Sequence, residues 1–325
     1  MLRVHFTPHD LLNVRIAQRP DPLWELICSV CRLQTGIGPL EFGSWRKAAR
    51  QRIQRDADLD RAVRPLTTLI PPTGYIPDFL TPSVTAPELA AGLDAVRATE
   101  RPRVVTELSR LADSRRLPAW TTTLGRPGCA GLAEVTRALA VYFRALVEPH
   151  WPVVRALVAG DVGQRTQALL DGGTQALLDG LSPWARWNAP VLEVDYPVDR
   201  DLHLDGRGLL LVPSFFCWNR PTALANPELT PVLVYPVPKG PRHVPQHALV
   251  RLLGRTRAEV LGEVAKRDAR TTSEVAGALG IALPSVSYQL GVLRNGGLVA
   301  SRREGKFVLH SATPLGHGLL KSGPP

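Results

Sequence analysis

The sequence predicts an α+β protein. A mostly helical amino-terminal region carries a small β-rich segment, and a compact carboxy-terminal unit of short helices and one hairpin follows. Three observations support this. Apolar residues recur at helical spacing, punctuated by proline, over much of the chain from Pro22 to Gly180. At about Trp184 the pattern changes to short β-like runs separated by Asp, Gly, Asn and Pro. The last quarter then shows a helix cap, a helix, a glycine, a second helix and two β-runs, in that order. At 325 residues the length suits about two domains, and 44% apolar with 21% charged residues is the composition of a globular chain.

Taken in order, a short extended start, Leu2 to Phe6, leads to the segment Pro8 to Ala17. Pro22 opens a helix through Leu33 with Leu23, Leu26, Ile27 and Val30 as its apolar stripe. Cys28 and Cys31 fall three apart in this helix, and two buried small hydrophobes is the preferred reading over a redox or metal pair. From Ser44 to Arg64 the chain carries Arg46, Lys47, Arg50, Arg52, Arg55, Arg61 and Arg64, which reads as a solvated helix face ahead of a phosphate-contacting one. Pro65 to Pro87 is proline-rich and is expected to be an extended connection with Tyr75, Ile76, Phe79 and Leu80 packed along it. Helices are expected at about 87–99, 102–113, 130–148 and 152–171, with a shorter one at 174–180. The heptapeptide TQALLDG begins at both Thr166 and Thr174, which predicts a local helix–break–helix and no solenoid.

The β-rich segment, about 185–236, contains β-like runs at Trp187–Tyr196, Gly208–Val212, Phe215–Trp218 and Val232–Tyr235. Asp195, Asp199, Asp201, Asp205 and His203 cluster there, at spacings that fit turns better than a cation site. Pro236 to Pro245 reads as a linker, which divides the chain into residues 1–245 and 246–325.

In the second region, Thr256 is the expected cap of a first helix facing inward through Leu261, Val264 and Ala265. Thr271 stands three residues before Glu274, the spacing of a capping box, in which hydroxyl and carboxylate each satisfy a free backbone N–H. Val275, Ala276 and Leu279 repeat at helical spacing, and Gly280 supplies a left-handed stop. Pro284 lies in the first turn of the next helix, where its missing N–H costs nothing, and Val286, Leu290 and Leu293 face inward before Gly296 and Gly297. Two β-runs follow with Glu304-Gly305 as the expected turn, Val299, Phe307 and Leu309 as the apolar face, and Arg302, Arg303 and Lys306 at the tip. A last short helix is expected from Pro314 to Lys321.

A helix-turn-helix followed by a cationic hairpin points to duplex DNA. Ser285, Ser287, Tyr288 and Gln289 lie near the start of the second helix, the part that meets base edges in the major groove. Gln pairs bidentately with adenine, Ser donates or accepts, and Tyr holds a phosphate or a thymine methyl. Thr272 and Arg294, at the two ends of the helix pair, complete the candidate set with the three cations of the hairpin. The charge distribution agrees. Of a formal +10, residues 255–325 contribute +5, ten Lys/Arg against five Asp/Glu.

The run from about Leu253 to His310 resembles the winged helix of the ArsR/SmtB family of bacterial transcription regulators. The resemblance rests on Thr271 to Gly280, then Ser285, Val286, Ser287, Leu290, Leu293, Arg294, Gly297, Leu298, Val299 and Gly305. It implies a homodimeric repressor on a near-palindromic operator, released when an effector binds. The long amino-terminal region, of undefined function in the relatives, is expected to dimerise the protein, bind an effector, or both. Metal-sensing members carry a Cys pair on the first helix of the helix-turn-helix. Ser273 to Leu279 contains no Cys, so a metal ligand set is not carried over.

Enzyme-like constellations are weak. His243 and His247 are four apart but flank Pro245, and no nucleophile elbow, phosphate loop or dinucleotide fingerprint occurs. The expectation is a non-enzyme that needs no cofactor. The alternative is an enzyme or small-molecule-binding domain fused to a winged helix, with Trp24, Trp120, Tyr142, Phe143 and Trp151 as an apolar pocket in place of plain core. Four Cys in a chain this long do not make a secreted disulfide framework, no apolar run is long enough to span a bilayer, and the charged start does not suit a signal peptide. A cytoplasmic protein with no membrane partner is expected.

Overall fold

The computed structural model describes residues 1–81, 88–126, 131–226, 229–239, 250, 252–266, 269–305 and 307–320. The chain divides into two compact units, Met1–Lys239 and Gly240–Pro325.

The larger unit joins a helical layer to two small sheets. Strand β1 (Leu2–His5) is followed by α1 (Pro8–Leu12), β2 (Val14–Ile16) and α2 (Pro22–Gln34). Helices α3 (Pro39–Arg55), α4 (Ala57–Leu69), α5 (Leu89–Arg97), α6 (Arg101–Ser114), α7 (Gly131–Tyr142) and α8 (Trp151–Asp179) come next. Six strands complete it: β3 (Ala185–Asn188), β4 (Val191–Val194), β5 (Arg200–His203), β6 (Leu209–Ser214), β7 (Thr222–Ala223) and β8 (Val232–Pro236).

The strand orders are β3-β4-β1-β5 and β2-β6-β8-β7. The amino-terminal strand β1 therefore lies inside a sheet with strands almost two hundred residues later, antiparallel to β4 and parallel to β5. Strand β2 pairs in parallel with β6. These long-range pairings make residues 1–239 one unit, a point the linear pattern left open. Strand β6 has side chains buried on both faces, which explains its unbroken Leu209-Leu210-Leu211-Val212 run. Leu210 and Val212 join the helical core, whereas Leu209 and Leu211 face a second core with Leu2, Val4 and Leu192.

Several sequence expectations shift. The proline-rich connection begins later than expected, because α4 runs through Pro65 to Leu69. Asp56 starts that helix by accepting the N–H groups of Asp58 and Leu59, both at 3.0 Å. Phe215–Trp218 is a bend and no strand. The Glu25 carboxylate takes the N–H groups of Phe215 (2.7 Å) and Phe216 (2.9 Å), which a strand would have used for pairing. Repeated TQALLDG does form a helix–break–helix: Gly172 (φ −145°) and Gly173 (φ +66°) interrupt α8. The expected linker starts too early, since Val237 is buried and donates its N–H to Ser214 O at 3.0 Å. His243, Pro245 and His247 lie outside the described residues, as does Cys129.

The aromatic set Trp24, Tyr142 and Phe143 is buried in the helical core, with Trp120 and Trp151 packed against it. Around the Asp/His cluster, His5 Nε2 lies 2.7 Å from Asp201 Oδ1 and stacks on His203 at a ring separation of 4.4 Å. At Lys239 the ammonium sits over the rings of Phe42 (4.8 Å), Phe215 (5.2 Å) and Trp218 (4.5 Å) and donates to Cys217 O at 3.2 Å.

Candidate nucleic-acid interface

The smaller unit is built from α9 (Arg255–Ala265), β9 (Arg270–Thr271), α10 (Thr272–Leu279), α11 (Leu283–Asn295), β10 (Val299–Glu304), β11 (Phe307–Ala312) and α12 (Pro314–Leu320). Its strands form one sheet in the order β10-β11-β9. The core contains Val260, Leu261, Val264, Val275, Ala276, Val286, Leu290 and Leu293. The first helix begins one residue ahead of Thr256, with Gly254 at the cap position and no side-chain cap.

Local chemistry sets the turn between α10 and α11. Glu274 N–H donates to Thr271 Oγ1 at 3.2 Å and Thr271 N–H to Glu274 Oε2 at 2.7 Å, the reciprocal capping box. Gly280 adopts φ +64°, a left-handed conformation that costs a residue with a Cβ roughly 1 kcal/mol or more. Ile281 N–H then reaches Ala276 O at 3.2 Å, which closes the helix end. The two helices bend by 115° across this break. That lies in the roughly 90–120° range of helix-turn-helix motifs.

Because Val286, Leu290 and Leu293 are buried, α11 turns its other side to solvent. Ser285 and Ser287 are exposed, and Tyr288 is 66% exposed. The cap residue Ala282 offers no side-chain acceptor, so no side chain caps the N–H groups of the first turn. Gln289 is placed differently from its neighbours. It is half-buried, and its Oε1 accepts a 2.8 Å hydrogen bond from Arg257 Nε on α9. Its amide nitrogen is left for an outside partner, while Arg257 takes one of the two lone pairs of the oxygen. Thr272 is also half-buried and bonds His310 Nε2 at 3.1 Å.

The hairpin differs from expectation in two ways. Glu304 pairs with Phe307, so it belongs to the ladder and the turn begins at Gly305 (φ +60°). Phe307 is 53% exposed and so does not belong to a buried apolar face. The register also separates the arginines. Arg302 pairs with Leu309 and Arg303 with Val308, and successive strand residues point to opposite faces. Arg302 shares its face with Glu304 and binds it at 2.9 Å, whereas Arg303 Nε reaches the Gly305 carbonyl at 3.4 Å. Lys306 lies outside the described residues.

One residue that sequence reasoning missed ties the hairpin to the helices. His310 is buried, with Nδ1 2.8 Å from Ser301 Oγ and Nε2 on Thr272. Burial, and then the exposed Arg294 close by, hold its pKa below the ordinary histidine value. A neutral ring thus bridges β10, β11 and the start of α10. Glu263 on α9 plays a similar part by pairing with Lys266 at 2.6 Å and with Arg270. A histidine in a β-run carries no local sign of such a role; only its cross-strand partners show it.

Among the described residues no single helix is long and apolar enough to cross a membrane. No curated protein and no solved structure matches the chain. Residues 252–302, which span α9 and run into β10, match a family of helix-turn-helix domains, and the carboxy-terminal unit is therefore a helix-turn-helix domain of the kind found in DNA-binding regulators.

Proposed function

We propose that the chain is a sequence-specific transcription regulator, cytoplasmic and without catalytic activity. Two copies would place their α11 helices about 34–36 Å apart on a near-palindromic operator. Residues 1–239 would supply the dimer contact, an effector site, or both, and loss of operator binding on effector capture would make the protein a repressor. One observation carries the DNA reading: α11 presents Ser285, Ser287 and Tyr288 to solvent in a domain of helix-turn-helix type that also holds the exposed cations Arg294, Arg302 and Arg303. Selection of bound duplexes from a random pool tests it. A recovered inverted repeat is expected, and a pool without any enriched sequence would defeat the proposal.

The alternative, a small-molecule-handling domain fused to a DNA-binding unit, is favoured by one observation, a cavity of about 270 Å³ in the larger unit. It sits close to the lower end of the roughly 300–1,000 Å³ range of ligand pockets. As the place where an effector enters, this cavity joins the two readings. An enzyme would show turnover that survives removal of residues 246–325.

A further inference from the structure

The cavity lies where the carboxy-terminal half of α2 meets two loops, 71–76 and 215–222. Ile27, Cys28, Cys31, Phe216, Cys217 and Trp218 give it an apolar and thiol-lined wall. Burial pushes the Cys31 thiol up to about 12, and Cys217 is also raised well above the usual range by its hydrogen bond with Cys28 and by burial. These two sulfurs are protonated at neutral pH and behave as soft apolar surface. Among the described residues, no group of three or more His, Cys, Asp or Glu is arranged to hold a metal ion.

Charge in the cavity is unbalanced. Two guanidinium groups line it, Arg32 and Arg220. Arg220 is compensated, since it binds Asp195 at 3.2 Å. Arg32 is not: its Nε is buried with no hydrogen-bond partner, and among the described residues it forms no ion pair. Its neighbours add to the imbalance. Arg46 is buried, and its pKa is lowered by burial and then by the charges of Arg50 and Arg32. Arg46 donates to the carbonyls of Ile37 (2.7 Å), Gly36 (3.3 Å) and Gly38 (3.4 Å), and Arg50 to that of Leu33 (3.3 Å). Three guanidinium groups thus stand together without one carboxylate among their described partners. The carboxy-terminal end of α2 offers them about half a negative charge, which leaves a net positive site.

Arg32 is half-buried, and its guanidinium does not escape this by losing its proton; the buried Nε–H without a partner is the costly part. An anion entering the cavity relieves that cost, and the apolar wall selects one with an apolar body. We propose that this cavity binds a small monocarboxylate with a single-ring or branched apolar body, its carboxylate paired with Arg32 and its body against Cys31, Phe216 and Trp218. Binding itself stands on the geometry of the larger unit; the role of the ligand as effector rests on the regulator reading above.

Titration calorimetry and tryptophan fluorescence on the full chain, without DNA, test the site. The probes are benzoate and phenylacetate, their uncharged counterparts benzamide and phenylacetamide, and inorganic phosphate. Both carboxylates are expected to bind saturably, with the amides and phosphate at least about tenfold weaker. Arg32→Gln should weaken benzoate at least about tenfold, Arg32→Lys should recover part of the loss, and Arg220→Gln should stay within about threefold of the parent. Amides that bind as well as carboxylates, no binding of any probe, or an unchanged Arg32→Gln protein would overturn the assignment. If Arg32→Gln does not fold, the carboxylate–amide comparison on the parent protein decides. Operator retention measured with and without benzoate separates the two claims: a saturable ligand that leaves DNA binding unchanged removes the effector role and keeps the site.

Discussion

Replacing Arg303 with alanine is expected to flatten the salt dependence of duplex binding, and replacing Arg302 is not. The asymmetry follows from the register of the hairpin. Arg302 and Glu304 are two residues apart on one strand, hence on one face, and are joined at 2.9 Å. A phosphate approaching that face meets a cation already matched by a carboxylate. Arg303 faces the other way and, among the described residues, has only a carbonyl as its partner. Each phosphate contact contributes a slope of about −0.9 in log K against log[salt], so raising salt from 50 to 200 mM weakens binding about 3.5-fold less in a variant that has lost one contact than in the parent. Fluorescence anisotropy with a labelled duplex over that range measures it. Arg303→Ala should lower the slope by about one unit on specific and random duplexes alike, and Arg302→Ala by much less than one. Glu304→Gln, which frees Arg302, should steepen it. If Arg302→Ala takes the full unit and Arg303→Ala none, the face assignment is wrong; if neither matters, the hairpin does not touch DNA.

Other expectations follow from the same geometry. Thr271→Ala removes the cap of α10 and should cost about 1 kcal/mol of unfolding free energy in the smaller unit, read by denaturant melts. Arg257→Ala releases the Gln289 amide and should change base preference in a selection experiment without altering the salt slope, whereas Gln289→Ala should cost about 1–3 kcal/mol at one base pair if that amide reads it. Unfolding should depend on pH in both units. Burial raises Glu25 to about 7, so the folded state keeps its proton where the unfolded chain has lost it. Stability therefore falls as pH rises from the ordinary carboxylate range toward 7. Burial lowers Lys239 to about 8, so stability should rise again from about 8 toward the ordinary lysine pKa. His310 acts in the smaller unit. Its depressed pKa means that the unfolded chain takes up a proton first as pH drops below about 6.5, so stability is lost there. His310→Gln melts that keep the same acid-side slope would disprove that assignment.

How far the amino-acid order reached differs between the two units, and the reason is the range of the interactions that hold each one. The helix-turn-helix was legible because its signals are local. A threonine and a glutamate three apart make a capping box, a glycine ends the helix, and proline starts the next, all within one or two turns of backbone. Short-range periodicity likewise showed α2, α6 and the break in α8. What remained hidden depends on residues far apart in the chain. Strand β1 joins a sheet with β4 and β5 because hydrogen-bonding partners across a sheet need share no neighbourhood in sequence. The Glu25 carboxylate bends residues 215–216 away from strand geometry from a helix 190 residues earlier. Within the candidate interface, composition placed arginines at the hairpin tip, but only the pairing register divided them between two faces. Gln289 stood among exposed neighbours on the helix, and only the packing of α9 brought Arg257 against its amide. The uncompensated charge of Arg32 was equally invisible, because whether a guanidinium finds a carboxylate is decided by what folds beside it. Local chemistry therefore determined which elements form and where they end, and tertiary packing decided which of their polar groups are left free to bind something else.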